Sequence, residues 1–430
     1  MDFDEALAYL DDHASYDKTG RVDAPSLDNI TKLMYAMADP HLSYPVVHVT
    51  GTNGKGSTTQ IVTKLLMAHG LKVGTYTSPH LEHLTERICR NGEPIDPQDF
   101  ADAVAAVAEV EALSGVRPTY FEIMTAVAFR YFADEAVDVA VIEVGMLGRW
   151  DATNVVRSEV AVITNIDLDH TEFAGPSLED IAREKMGISK VDSTLIVGDE
   201  NSDLDPVWAQ ASFNKLVRRG LDFECLENNL SVGGRSLTIR TPRATYVDMH
   251  LPLHGHHQGF NASVALCAVE EFFDAPLHED VVREGFAAVD MPGRFEVMGH
   301  QPLVIIDGAH NPAGADVCSQ VFFDDFAIVG RRILVVGVLR GRDPQEMLLA
   351  LRANDFDMIV CCTAPSPRAI DGSVLASTAS ALGCSDIETC QTVEEACDRA
   401  RSLAGEDDAV LIAGSLYVVG SARSHLRRIL

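Results

Sequence analysis

Apolar positions along this chain fall into short unbroken runs that alternate with stretches spaced three and four residues apart. The first clear run is Val46–Val49. Behind a glycine-rich turn, Ile61, Val62, Leu65 and Leu66 mark one face of a helix that Gly70 closes. Ahead of it, Leu7, Leu10, Ile30, Leu33, Met34 and Met37 predict helices between Asp4 and Leu42, joined by the polar segment Lys18–Val22. Val73–Thr77 predicts a strand, Phe100–Ala112 and Phe121–Phe132 predict helices, and Val137–Val144, Val160–Ile163 and Leu195–Val197 predict further buried strands. Residues 230–246 alternate around Gly233-Gly234, which predicts a small β-rich insert, and a helix follows from Asn261 to Phe273. The pattern breaks at Met291-Pro292-Gly293-Arg294-Phe295-Glu296. Beyond it Val304–Ile306, Ile333–Val336, Met358–Val360 and Val410–Ile412 form a second strand set with helical spacing between them. Strands separated by helices predict right-handed crossovers and parallel sheets. The chain therefore reads as two α/β domains, residues 1–290 and 291–430, with ligands expected at the carboxyl ends of the strands.

Composition narrows the class. At 430 residues with 47% hydrophobic content, each half is long enough to bury a core. The net charge of −30 argues against nucleic acid or an anionic membrane as a partner, since either needs a basic face. No apolar run is long enough to span a bilayer. The acidic start Met1-Asp2-Phe3-Asp4-Glu5 lacks the pattern of a signal peptide, so a cytoplasmic location is expected. The 9 cysteines are scattered without a Cys-x-x-Cys pair. They are expected to be buried small residues, with no disulfide framework, structural zinc or other transition metal. Lysine is scarce beside arginine, which is compatible with a salt-tolerant proteome.

The chemistry concentrates in Gly51-Thr52-Asn53-Gly54-Lys55-Gly56-Ser57, set between the first buried strand and its helix. Such a turn points backbone N–H groups at an anion, and the helix N-terminus adds partial positive charge. Lys55 supplies a cation for the terminal phosphates, and Ser57 or Thr58 a hydroxyl for Mg²⁺. The common phosphate-loop pattern has Ser or Thr directly after Lys; here Gly56 intervenes. Glu143 ends an otherwise apolar strand and is expected to be a hard oxygen ligand for Mg²⁺.

The run Thr50-Gly51-Thr52-Asn53-Gly54-Lys55-Gly56-Ser57 resembles the loop of the folylpolyglutamate synthase and dihydrofolate synthase family, within the Mur-type ATP-dependent amide ligases. The matching motifs run from Thr50 to Tyr417. The resemblance implies a P-loop ATPase-like parallel-sheet domain with the β-rich insert, then a Rossmann-like α/β domain. It implies that Ser78, in Thr-Ser-Pro-His, and His170, in Asp-Leu-Asp-His, serve metal positions beside Ser57 and Glu143. Lys185, in Arg-Glu-Lys-Met-Gly-Ile, matches a lysine that CO₂ can carbamylate to assist a second Mg²⁺; the plain alternative is a surface pair with Glu184 or Asp180. Asn261, Arg294 and Asp307 match nucleotide contacts. His310 and Ser415 match positions near the incoming glutamate, with helix capping as the plain alternative for Ser415.

Thr119-Tyr120-Phe121-Glu122 and Asp151-Ala152-Thr153-Asn154 resemble the pterin-side motifs; Phe121 could stack on a pteridine ring or simply pack in the core. The family's Gly-Gly-Arg before the second motif is Leu147-Gly148-Arg149 here. Lys55, Lys185 and His310 are the expected catalytic residues. The implied activity is ATP-driven addition of L-glutamate to dihydropteroate, to the tail of a reduced folate, or to both, through an acyl phosphate. Implied ligands are ATP, two Mg²⁺ ions, L-glutamate and the pterin substrate, and a monomer is expected. The alternatives are a Mur ligase that adds an amino acid to a peptidoglycan precursor, and a nucleotide-switched binding protein without ligase chemistry.

Overall fold

Residues 46–50 and 139–143 are buried throughout, which is why both read as largely apolar runs, broken only by His48, Thr50 and the terminal Glu143. In the computed structural model, whose described residues are 1–15, 26–169 and 171–429, they are neighbouring central strands. The expected loop Lys18–Val22 and His170 lie outside the described residues. The chain divides into two compact units. The first comprises Met1–Ser231, Ser236–Pro252 and Gln258–Val289; the second comprises Val232–Arg235, Leu253–His257 and Asp290–Leu430.

The first unit holds β1 (Val46–Thr50), β2 (Val73–Tyr76), β3 (Ile88–Arg90), β4 (Glu93–Pro94), β5 (Val139–Glu143), β6 (Val160–Ile163), β7 (Thr194–Val197) and β8 (Lys215–Arg218). Their order is β4-β3-β2-β5-β1-β6-β7-β8. From β2 to β8 the pairings are parallel, but β3 and β4 run antiparallel at the edge. The expected all-parallel sheet is thus corrected to a mixed one; the Asn91-Gly92 turn folds two short strands back as a hairpin. Helices cover both faces. Pro97–Ser114 and Tyr120–Asp134 bring Phe100, Phe129 and Phe132 against Tyr76 and Ile142, while Ile181 and Trp208 pack with Ile163 and Leu195.

The insert forms a three-stranded sheet, β9 (Glu224–Ser231), β10 (Gly234–Arg240) and β11 (Thr245–Leu251), in the order β11-β10-β9. The helix after it begins at His257, earlier than its apolar spacing shows, because its first turn is polar.

The second unit holds β12 (Glu296–His300), β13 (Leu303–Ile306), β14 (Arg332–Val336), β15 (Met358–Cys361), β16 (Ile387–Thr389) and β17 (Ala409–Ala413), ordered β12-β13-β17-β14-β15-β16. All pairings are parallel except β12 with β13. Phe322, Leu334, Val336, Met347 and Leu411 form its core. All the cysteines are free, but Cys225, Cys384 and Cys390 are only partly buried, against the expectation of full burial. Among the described residues no helix is long and apolar enough to cross a membrane.

Candidate active site

The parallel strands β2, β5, β1 and β6 deliver four chain segments to one sheet edge. From β1 the chain turns through Gly51 and Gly54 into the helix Lys55–Ala68. At Gly51 φ is +153° and a Cβ would lie 1.7 Å from Thr164 Oγ1; at Gly54 φ is +79° and a Cβ would lie 2.4 Å from Asn261 Oδ1. Only glycine fits either place. The segment after β6 staples the loop. Thr164 Oγ1 donates to the Asn53 carbonyl at 2.6 Å, the Asn53 N–H donates to Asn165 Oδ1 at 2.8 Å, and the Asp167 N–H donates to Thr52 Oγ1 at 3.0 Å. The helix carries no acid in its first turn, where Gly56 lies and Ser57 is buried, so its N-terminus remains an anion site. Asn261 is held by its Nδ2 donating to Gln258 Oε1 at 3.0 Å.

Two lysines converge on one carbonyl. Lys55 Nζ donates to Gly51 O at 3.0 Å and to Thr52 O at 3.1 Å; Lys185 Nζ donates to the same Gly51 O at 2.7 Å. Lys185 is 3% exposed. Burial, then the nearby Lys55 cation, holds its pKa well below the ordinary lysine value, with buried Asp169 pulling the other way. The surface-pair reading of Lys185 is therefore overturned: Glu184 pairs with Arg149 at 3.4 Å instead. Lys185 lies on the helix Leu178–Met186.

Glu143, at the end of β5 and 5% exposed, accepts the Ser78 N–H on Oε2 at 3.1 Å. Ser78 follows β2, so metal-type oxygens and the phosphate loop share the sheet edge. Among the described residues no group of three or more His, Cys, Asp and Glu side chains could hold a metal ion. A cation held by Ser57, Ser78 and Glu143 would draw its remaining ligands from water and phosphate, as Mg²⁺ does. That donor set of hard oxygens fits Mg²⁺.

In the segment that resembles a pterin-side motif, Thr119 and Glu122 form a capping box for the helix Tyr120–Asp134: the Glu122 N–H donates to Thr119 Oγ1 at 3.2 Å and the Thr119 N–H to Glu122 Oε2 at 2.7 Å. Both polar side chains of this motif thus have structural work. Tyr120 lies under the Arg87 guanidinium, and the Phe121 ring centroid is 6.1 Å from that of Tyr76. Asp151 accepts the Thr153 N–H and hydroxyl on Oδ1, at 3.0 and 2.6 Å, and the Met146 N–H on Oδ2 at 2.9 Å. Burial raises its pKa and these bonds oppose the rise. Ala152 is buried beside it. Leu147 adopts the left-handed φ of +57° that a glycine would take without strain, and its carbonyl accepts Thr50 Oγ1 at 2.5 Å. Asn154 Nδ2 donates to Arg149 O and Gly187 O at 2.9 and 3.0 Å, and the Arg149 N–H donates to Glu184 O at 2.9 Å. These bonds fasten the loop to the Lys185 helix. Arg149 and Asp169 stand inside motifs that the sequence reading quotes, and Asn165 at a polar strand end, but none of the three had been given a role of its own.

In the second unit, Asp307 follows β13 and clamps two backbone N–H groups, Phe295 on Oδ2 and Ala309 on Oδ1, each at 2.8 Å. Burial raises its pKa; Arg294 and those N–H groups oppose. Arg294 Nη1 donates to Gly308 O at 3.4 Å. Glu296 Oε2 accepts the Gly293 N–H at 2.7 Å and Arg423 Nε at 2.8 Å, which steadies the turn carrying Arg294. His310 Nδ1 lies 3.0 Å from Gly308 O and so carries the proton there. Ser415 is fully buried and its Oγ accepts the Val418 N–H at 3.2 Å, so it caps the last helix whatever else it does.

The Mur ligase middle domain matches residues 49–269, and the Mur ligase glutamate ligase domain residues 293–416. The chain is similar to the dihydrofolate synthase/folylpolyglutamate synthase of Mycobacterium tuberculosis, 39% identical over 448 residues that cover 94% of this chain and 90% of that one. It is similar to the solved structure of Mycobacterium tuberculosis folylpolyglutamate synthase complexed with ADP and AMPPCP, with TM-score 0.91, 37% identity and coverage of 99% and 98%. It also resembles a bifunctional folylpolyglutamate synthase/dihydrofolate synthase with Mn, AMPPNP and L-glutamate bound, with TM-score 0.87, 29% identity and coverage of 99% and 98%. With a two-unit α/β fold, a phosphate loop at the sheet edge and these likenesses along nearly its whole length, the chain belongs to the folylpolyglutamate synthase/dihydrofolate synthase family of Mur ligases.

Proposed function

We propose that this chain is an ATP-dependent ligase that joins L-glutamate to dihydropteroate and also extends the glutamate tail of reduced folates. The convergence of Lys55 and Lys185 on the Gly51 carbonyl, at a helix N-terminus beside Glu143 and Ser78, carries the reading. The bifunctional relatives, one with L-glutamate bound, support both reactions. The substrate carboxylate oxygen attacks the γ-phosphorus of ATP, and the bond to ADP breaks. The glutamate amine then attacks the acyl carbon, phosphate leaves with its electron pair, and the amine proton passes to solvent. Backbone N–H groups at the start of the helix, those of Gly54 and Gly56 among them, cradle phosphate; Thr52 and Asn53, whose own N–H groups bond Asn165, shape the loop around it, and Lys55 balances the charge on the transferring group. Ser57, Ser78, Glu143 and His170 would hold Mg²⁺, in two sites, and the bound ion would supply positive charge to the phosphate oxygens.

Lys185, as the neutral amine, is set to form an N–C bond to CO₂ and release a proton, giving a carbamate that completes the second site. Asn261, Arg294 and Asp307 serve the nucleotide, and His310 and Ser415 the incoming glutamate. Thr119, Tyr120, Phe121, Glu122, Asp151 and Ala152 line the pterin side. The domains are assigned as 1–290 and 291–430, and the enzyme as a cytoplasmic monomer. The test is ADP release with Mg²⁺ and ATP. Release that needs both L-glutamate and a pterin acid supports the reading, with slower, reversible turnover after CO₂ depletion supporting the carbamate. Turnover with a uridine-nucleotide peptide precursor in place of the pterin overturns it.

A further inference from the structure

We propose that His48 is a positioning residue for Asp151, acting through the Thr153 hydroxyl, and that it thereby sets the affinity for the pterin substrate. The inference rests on the reading of Asp151 as a pterin contact. His48 lies in the middle of β1 and is fully buried. Its Nε2 is 2.9 Å from Thr153 Oγ1, and Thr153 Oγ1 is 2.6 Å from Asp151 Oδ1. The hydroxyl has one proton. The short contact to a carboxylate takes it, so the hydroxyl's lone pair receives the His48 Nε2–H.

This bookkeeping fixes the neutral imidazole as the Nε2–H tautomer. Its Nδ1 is buried with no partner among the described residues, and burial keeps the ring uncharged, its pKa pushed down to about 3 with Lys190 adding to the effect. A side chain held only for packing would be aliphatic at such a position, because an unmade hydrogen bond in the core destabilises. The Nε2 bond is what the imidazole adds. It orients Thr153, which with its own N–H holds Asp151 Oδ1, while Met146 N–H holds Oδ2. Asp151 is thereby fixed as an acceptor for N–H donors, the groups that a pteridine edge presents.

The experiment is steady-state kinetics with dihydropteroate, ATP and L-glutamate on Asp151→Asn, Thr153→Val, Thr153→Ser, His48→Leu and His48→Gln, each checked for fold by circular dichroism. Loss of one bond in a relay to a carboxylate is expected to raise the dihydropteroate KM about tenfold in Thr153→Val and in His48→Leu, with the ATP KM unchanged. Thr153→Ser keeps the hydroxyl and His48→Gln keeps a donor, so both should return towards wild type. The His48→Leu, Thr153→Val double variant should be no worse than Thr153→Val. A folded Thr153→Val with wild-type dihydropteroate KM, KM values for both substrates rising together, or His48→Gln no better than His48→Leu would overturn the relay. If Asp151→Asn itself leaves the dihydropteroate KM unchanged, the pterin assignment of Asp151 fails and the relay with it. If Asp151→Asn raises that KM and Thr153→Val does not, the relay alone fails.

Discussion

Lys185→Met replaces a buried amine by a thioether of nearly the same length, and it separates what the lysine does for the fold from what it does for catalysis. The folded protein releases the Lys185 proton well below the ordinary lysine range, through burial and then the Lys55 charge. Above the unfolded value near 10.4 the group is neutral in both states and costs nothing. As pH falls below that value the unfolded chain takes up the proton first, so wild-type stability drops by about 1.4 kcal/mol per pH unit until the depressed folded value is reached. Lys185→Met lacks this dependence. What it loses is one bond, 2.7 Å to Gly51 O, worth about 1 kcal/mol net. The carbonyl keeps the Lys55 donor at 3.0 Å. The variant should therefore be at least as stable as wild type near neutrality, with the gap closing as pH rises. Both tryptophans, Trp150 and Trp208, lie in the first unit, so their fluorescence in urea titrations reports that unit. The titrations would run in CO₂-depleted buffer from about pH 6.5 to 9.5, below the unfolded value. Activity should fall about 10²–10³-fold, the scale of losing one charge-stabilising group at a transition state. Parallel stability curves for the two proteins would refute the buried-amine reasoning, whatever the activity.

Lys55→Ala should retain its circular dichroism and lose about 10²-fold or more in kcat; turnover within threefold of wild type would remove it from the phosphate site. Glu143→Gln should raise the Mg²⁺ concentration needed for half-maximal rate, and an unchanged Mg²⁺ titration counts against its metal role. Leu147→Ile keeps the apolar volume but puts a β-branched side chain at φ +57°, so the urea midpoint should fall by the equivalent of about 1 kcal/mol, and an unaltered midpoint would contradict the strain.

The phosphate loop was legible because steric demand and residue type coincide there: Thr164 and Asn261 leave no room for a Cβ at Gly51 and Gly54. Central strands were legible through burial on both faces, and edge strands were not. Lys215–Arg218, Glu296–His300 and Ile387–Thr389 are short, polar and paired on one side, so nothing in their pattern separates them from loop. Lys185 illustrates the opposite failure. Its neighbours Arg183 and Glu184 make an exposed-looking helical segment, and only the third dimension shows the amine turned beneath Gly51. Thr119–Glu122 carried a capping signature that reads equally well as a substrate motif, and Ser415 did the same. His48 sat inside an apolar run without any signal, since its partner Thr153 is distant in sequence.

The order β2-β5-β1-β6 also bears on how a newly made chain reaches its working state. A chain that has emerged only as far as Asp134 already contains every residue of the phosphate loop. It has no Glu143, no Thr164 or Asn165 to staple the loop, and no Lys185 beneath it. Nucleotide has nothing to grip until β5 has slotted between β2 and β1 and β6 has docked on the far side, pairings that close long stretches of chain and form late. ATP in the surrounding solution therefore stabilises only chains whose central sheet is complete and gives no help to earlier forms. By mass action, nucleotide therefore favours the completed central sheet over any form in which β5 or β6 has not yet docked.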